Sequence, residues 1–399
     1  MRLSFSDEVA DPLSYLPHHS ARPQKTQSSQ QLVQYASGDL AGVLDYISAS
    51  GFTFEPWQVA TFVTALRTKP FVILAGISGT GKTKLPQLVA AATGAEAVIV
   101  PVRPDWTDSS DLLGYERLSG EFIPGSLLKL CEAALQAPET QFFFILDEMN
   151  VARVEYYFAE VLSVMENRRR TDDGIISEPL NPSAPDRAGV NWGAVYLPTN
   201  VCLIGTVNMD ETTHGFSRKV LDRAFVLELS QVDLASYSSR SDTAAMHAVS
   251  WEPSAWTPNY LHLSDVDAPE TNSAVTEAVN ALVRANESLQ PAQLQVGYRV
   301  RDEVALFCLN ATDQSEFFVD RAETVLSPLD LCLSMKVLPR IQGGGLFIRD
   351  VLSDFASWTL PNQAEAGDSE SPSGFGVTHE RVKLMQERLD QTGFTSYWV

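Results

Sequence analysis

The chain has 399 residues, 44% of them hydrophobic and 9% aromatic, with 29 Lys and Arg against 50 Asp and Glu, a formal charge of −21. That length exceeds what one core usually serves, so two or three units are expected; the acidity argues against a protein that coats bare nucleic-acid phosphate. Cys131, Cys202, Cys308 and Cys332 stand singly, without zinc spacing, acids occupy the place of a signal peptide's apolar core, and the longest apolar runs cannot span a bilayer, so a soluble, cytoplasmic chain with buried thiols is expected.

Residues 1–50 read as an N-terminal arm and linker, with a polar, breaker-rich stretch at 17–31. In 51–70 the positions Phe54, Val59, Phe62, Val63 and Leu66 mark one helix face. Short apolar runs then follow at 71–75, 97–102, 142–146, 201–205 and 224–229, alternating with helical stretches at 84–92, 125–137 and 154–168. That alternation predicts an α/β unit over 51–231, a parallel sheet covered on both faces. Pro86 is expected to bend or shorten the first of those helices, and residues 171–199 read as an inserted hairpin or long loop. Helical patterns at 271–289, 299–310 and 320–338 predict a smaller helical domain over 232–350. Residues 351–399 read as a C-terminal linker, centred on 362–376, and a helix at 378–391.

The central signal is GISGTGKT, between the apolar run 71–75 and a helix. It fits G-x-x-x-x-G-K-[ST], whose glycines turn successive backbone N–H groups inward as an anion cradle at a helix N-terminus. Gly76, Ile77, Ser78, Gly79, Thr80, Gly81, Lys82, Thr83 and Lys84 are therefore the expected triphosphate-binding segment. Lys82 is placed for the β- and γ-phosphates and the Thr83 hydroxyl for Mg²⁺.

In FFFILDEMN an apolar run delivers Asp147 and Glu148 at its carboxyl end, where ligands gather in open α/β sheets. Beside the phosphate loop, Asp147 is expected to serve the metal and Glu148 to polarise an attacking water. Standing alone, the acidic pair would read as a helix N-cap. The run at 201–205 leads to Asn208, suited to orienting the same water. Arg223 then lies at the edge of the domain, where it either acts as an arginine finger toward a neighbouring subunit or makes a surface ion pair; Arg218 is the second candidate.

LAGISGTGKTKL, VPVRPDWTDSSDLLGY, FFFILDEMNVARVEYYFAEVLSVME, GTVNMDETTHGFSRKVLDRA, VGYRVRDEV and SPLDLCLSMKVLPRIQGGG together resemble the AAA+ superfamily, and within it the McrB-type, dynein-related branch. The resemblance covers residues 50–350 and implies a P-loop core with strand order 5-1-4-3-2 and a helical lid. It also implies that Lys82 and Thr83 are Walker A contacts, Asp147 and Glu148 the Walker B pair, Asn208 the sensor-1 residue, Arg223 the finger and Arg299 a sensor-2 arginine reaching from the lid to the γ-phosphate. Restriction motors of this branch that use GTP carry Asn-Thr-Ala-Asp after the sensor strand. This sequence reads Asn208-Met209-Asp210-Glu211, which makes ATP the default nucleotide, with GTP still open. Those motors also carry a DNA-binding domain ahead of the core; residues 1–50 stand there in this sequence, so target recognition is expected from another subunit.

The function implied is hydrolysis of Mg-ATP by a homo-oligomeric ring, hexameric by resemblance, coupled to remodelling or translocation in a restriction or defence system, with an McrC-like nuclease as partner. The alternative is a nucleotide-dependent switch or MoxR-like assembly chaperone with no nucleic-acid role. Three smaller readings complete the sequence. Arg168–Arg170 end a helix and complement its dipole, Trp106 belongs to the core, and His214 is a surface or packing residue.

Overall fold

The computed structural model describes residues 37–172, 174–209, 214–231, 234, 249–360 and 374–398. The stretch expected as a linker at 17–31, most of that at 362–376, and Asp210 and Glu211 lie outside the described residues. Helix α1 (Leu40–Ala49) is capped by the Asp39 carboxylate, which accepts from Ala41 N–H at 2.9 Å. Its Leu40, Val43 and Ile47 are buried, so this part of the expected arm packs on the domain. Helix α2 (Pro56–Thr68) starts with proline at its first position, where no intrahelical N–H is needed, and Gln58 reaches back to accept from Glu55 N–H at 3.0 Å.

Strands β1 (Phe71–Gly76), β2 (Glu96–Pro101), β3 (Phe142–Asp147), β4 (Val201–Asn208) and β5 (Phe225–Glu228) form one parallel sheet in the order β5-β1-β4-β3-β2. This is the expected 5-1-4-3-2 arrangement. β1 and the apolar part of β3 are buried throughout, as strands covered on both faces must be. β2 is an edge strand and alternates instead: Val98 and Val100 face inward while Ile99 is exposed. Helices α3 (Lys84–Thr93) and α4 (Ser126–Gln136) make crossovers. Pro86 does not shorten α3, because it falls in the first turn, where its missing N–H has no intrahelical partner.

The helix expected at 154–168 is two. Residues 154–157 form one turn, the chain breaks at Phe158 (φ −110°, ψ 6°), and α5 (Ala159–Glu166) follows. The break lets the Tyr157 hydroxyl donate to the Met149 carbonyl at 2.8 Å and sets the Phe158 ring 5.3 Å from Phe71. Arg168–Arg170 therefore do not end a helix. Residues 169–171 pair with 174–176 in a hairpin, and Arg170 donates to the carbonyls of Pro258 and Asn259. Trp106 is buried, edge-on to Tyr157, and all four cysteines are buried.

After the short helix α6 (Arg218–Leu221) and β5, the chain builds a helical unit from α7 (Ser273–Leu289), α8 (Tyr298–Ala311), α9 (Pro328–Lys336), α10 (Leu346–Trp358) and α11 (Gly376–Thr392). α8 packs on α2 and α9 on β5, which fixes this unit against the sheet's β5 edge. The C-terminal helix is part of it: the buried Asp330 carboxylate on α9 accepts from Val377 and Thr378 N–H at 2.7 and 2.9 Å. Residues 394–396 then pair with 342–344. Among the described residues no helix is long and apolar enough to cross a membrane.

Candidate nucleotide site

The phosphate loop leaves the C-terminal end of β1 and enters α3, so its amides sit at a helix N-terminus. Two glycines are required by geometry. A Cβ on Gly76 would stand 2.6 Å from the Leu229 carbonyl oxygen, and Gly81 turns at φ +90° with the Phe54 ring 3.0 Å from where a Cβ would be. Gly79 turns at φ +84° into open space, leaving its amide approachable. Ile77 and Ser78 lie on the exposed crest, and the Thr80 hydroxyl donates back to Ile77 O at 3.1 Å. Lys82 is 6% exposed and its Nζ donates to the same carbonyl at 2.6 Å, which keeps the ammonium inside the loop. Lys84 lies 4.9 Å from the Phe52 ring centroid. Thus the segment preceding α2 lines the phosphate loop, through Phe52 and Phe54, and nothing in its sequence pattern announced that.

The adjoining strands supply the oxygens. The parallel register sets Gly76 beside Asn208, and Asp147 beside Pro101. Thr83 Oγ1 donates to Asp147 Oδ1 at 2.7 Å, and Thr206 Oγ1 donates to the same oxygen at 2.7 Å. Glu148 N–H donates to Thr206 Oγ1 at 3.0 Å, and Asn208 Nδ2 donates to Glu148 Oε1 at 3.2 Å. Glu148 itself is left-handed, φ 54° and ψ 50°. That conformation costs a non-glycine residue about 1–3 kcal/mol and recurs where surrounding structure holds a functional side chain in place. Thr206 was missed in the sequence, although it lies two residues before Asn208 and so on the same strand face. A carboxylate and a hydroxyl beside a phosphate cradle are the hard oxygen donors that Mg²⁺ takes together with substrate phosphates, so the residues present fit that ion.

The structure divides the expected residues into two groups. Lys82, Thr83, Asp147, Glu148 and Asn208 come together at the C-terminal edge of the sheet. Arg223 and Arg299 come together elsewhere. Arg223 Nη2 pairs with Glu166 Oε2 at 2.6 Å and its Nη1 donates to Lys219 O at 2.5 Å, while Arg299 pairs with the other oxygen of the same carboxylate. Arg223 precedes β5, whose Phe225 lies beside Val72, so it stands at the N-terminal edge of the sheet. The length of β1, roughly 17 Å at about 3.3 Å per residue, separates that edge from the phosphate loop. Helix α8 is anchored at the same edge, where Glu303 pairs with Lys69 just before β1. The expectation that Arg299 reaches the γ-phosphate of its own chain is therefore corrected: it joins Arg223 on Glu166, a residue the sequence did not single out. Arg218 donates to Gln293 O at 3.1 Å, and His214 is exposed, with its N–H on Asn150 O.

Comparisons with known proteins agree with this geometry. The family model for the AAA domain of the dynein-related subfamily matches residues 71–226. A second model, a domain of unknown function (DUF8727), matches residues 248–394, which take in the helical unit and the C-terminal helix together. The type IV methyl-directed restriction enzyme EcoKMcrB subunit of Escherichia coli (strain K12) is 30% identical over 186 residues, covering 44% of this chain. The match spans only 38% of that protein's length. With the sheet order, the glycine-rich loop and the acidic pair in place, residues 71–226 match the AAA domain of the dynein-related subfamily, and the chain is similar over part of its length to the McrB subunit.

Proposed function

We propose that the protein binds and hydrolyses a Mg-nucleoside triphosphate, ATP by default with GTP open, in a cytoplasmic homo-oligomeric ring. The observation carrying this reading is the hydrogen-bonded array Thr83–Asp147–Thr206–Glu148–Asn208 beside the loop that holds Lys82. The loop amides and Lys82 gather the β- and γ-phosphates. Thr83 and Asp147 would hold Mg²⁺, which would supply neutralisation of the developing charge on the phosphates. Glu148 accepts a proton from the attacking water, and Asn208, already bonded to its carboxylate, fixes the direction of attack.

Arg223 and Arg299 stand too far from their own loop to serve it, which favours a role across a subunit boundary. Both are paired on Glu166, and in this reading they turn to the γ-phosphate held by a neighbour, where a guanidinium stabilises the charge spread over the transferring group. Hydrolysis then alters the contact between one subunit and the next, and a ring can pass that change on as remodelling or translocation. Likeness to the restriction subunit makes an McrC-like nuclease the partner we propose, with six subunits as the ring size. Exchange of Glu148 for Gln tests the chemical core. Binding of labelled triphosphate should persist while phosphate release falls at least about a hundred-fold; unchanged release would remove Glu148 from the mechanism.

A further inference from the structure

Lys336 closes α9 with a side chain that has no solvent exposure. Its ammonium donates to the backbone carbonyls of Ala224 (2.8 Å), Asp222 (3.3 Å) and Leu221 (3.4 Å), and it pairs with Glu303. It also lies 4.9 Å from the Phe225 ring centroid. Those carbonyls flank Arg223 on both sides; those of Leu221 and Asp222 lie at the end of the short helix α6, where the last carbonyls lack intrahelical partners. The Asp222 carboxylate is taken by Arg340, which also donates to Gln295 O at 3.2 Å. Glu303 in turn is shared with Lys69. Burial works to raise its pKa, but the two ammonium groups hold it below the usual carboxylate range; burial draws Lys69 down to about 8. Glu303 lies one helical turn after Arg299 on α8.

These contacts close a circuit. Arg299 and Arg223 share Glu166, the turn carrying Arg223 hangs on Lys336, and Lys336 returns through Glu303 to the helix that carries Arg299. A buried ammonium needs acceptors for three N–H donors, and a single carboxylate does not supply them all. Glu303 takes one, and the acceptors that complete the set are the carbonyls on either side of Arg223, so burying this lysine ties that turn to α9.

We propose that Lys336 is a positioning residue for Arg223: by gathering the carbonyls on either side of it, the helical unit sets the angle at which the arginine meets a neighbouring subunit's triphosphate. This rests on the shared-site reading above, and the test separates the two. Lys336→Met, in which Glu303 keeps Lys69 as its partner, with Lys336→Gln as the milder change should the methionine variant fail to fold, is assayed with Mg and a fluorescent triphosphate. Its own pocket should bind within about two-fold of wild type, while kcat falls on the order of a hundred-fold, the cost of misplacing a catalytic group by about an ångström.

Mixing with Glu148→Gln protein, which cannot hydrolyse but presents an intact Arg223, should restore turnover. So should mixing Arg223→Ala with Glu148→Gln. A folded Lys336 variant with wild-type kcat overturns the proposal. So does one that Glu148→Gln fails to rescue while Arg223→Ala is rescued, which would make Lys336 a structural residue and leave the shared site standing. If neither mixture recovers, the shared site itself falls, and this role with it.

Discussion

Thr206→Val removes one hydroxyl and nearly preserves shape. The residue is 2% exposed and bridges Asp147 Oδ1 to the Glu148 backbone at 2.7 and 3.0 Å. A hydrogen bond to a charged group contributes about 1.5–3 kcal/mol, and leaving the Glu148 N–H without an acceptor costs about 1–3 kcal/mol more if it stays dry. Part of that loss is recovered by water reaching this half-open edge, so we expect chemical denaturation to show a deficit of about 2–4 kcal/mol. Losing the bridge also releases the left-handed Glu148, whose conformation has few other supports. A displacement of the two carboxylates worth about 1.4–2.8 kcal/mol in the transition state lowers kcat ten- to hundred-fold. Binding of the triphosphate, which depends on the loop amides and Lys82, should change little. Thr206→Ser, which keeps the oxygen, should stay near wild type in both assays. A Thr206→Val protein with unchanged denaturation midpoint and kcat would refute the idea that this bridge organises the acidic pair.

Lys82→Ala should abolish saturable uptake of Mg-triphosphate in equilibrium dialysis without lowering the melting temperature by more than a few degrees. Arg223→Ala and Arg299→Ala should each keep uptake and lose turnover by about a thousand-fold and about ten-fold respectively. Because both guanidiniums share Glu166, the double variant in a steady-state assay should fall short of the product of the singles. Gly76→Ala drives a Cβ to 2.6 Å from the Leu229 carbonyl, so differential scanning fluorimetry should record a destabilised protein even without nucleotide. Gly79→Ala meets no neighbour; it should melt closer to wild type and show its defect in uptake, because its φ of +84° strains the loop.

The five strands and the residues at their carboxyl ends were legible because buried parallel strands read as unbroken apolar runs, and because the phosphate cradle needs glycine, lysine and a hydroxyl at fixed spacing. What stayed hidden depends on long-range pairing. Thr206 acquires its role only once β4 lies beside β3, and Glu166 only once α8 brings Arg299 across to Arg223. Arg299 was assigned by resemblance to the phosphate loop, yet its side chain is held at the opposite edge of the sheet. The single helix expected over 154–168 failed for a local reason of the same kind: Tyr157 and Phe158 follow tertiary partners, Met149 and Phe71, at the expense of helical continuity. The C-terminal helix read as an appendage, since nothing in its own composition reveals that Asp330 caps it.

Steady-state phosphate release from ATP and from GTP, with magnesium and over a range of protein concentrations, bears most directly on whether this pocket is a hydrolytic site completed by a second subunit. The expected result is a specific activity that rises with concentration toward a plateau for at least one nucleotide and vanishes in Lys82→Ala. No release with either nucleotide at any concentration, or release that survives in Lys82→Ala, would contradict it.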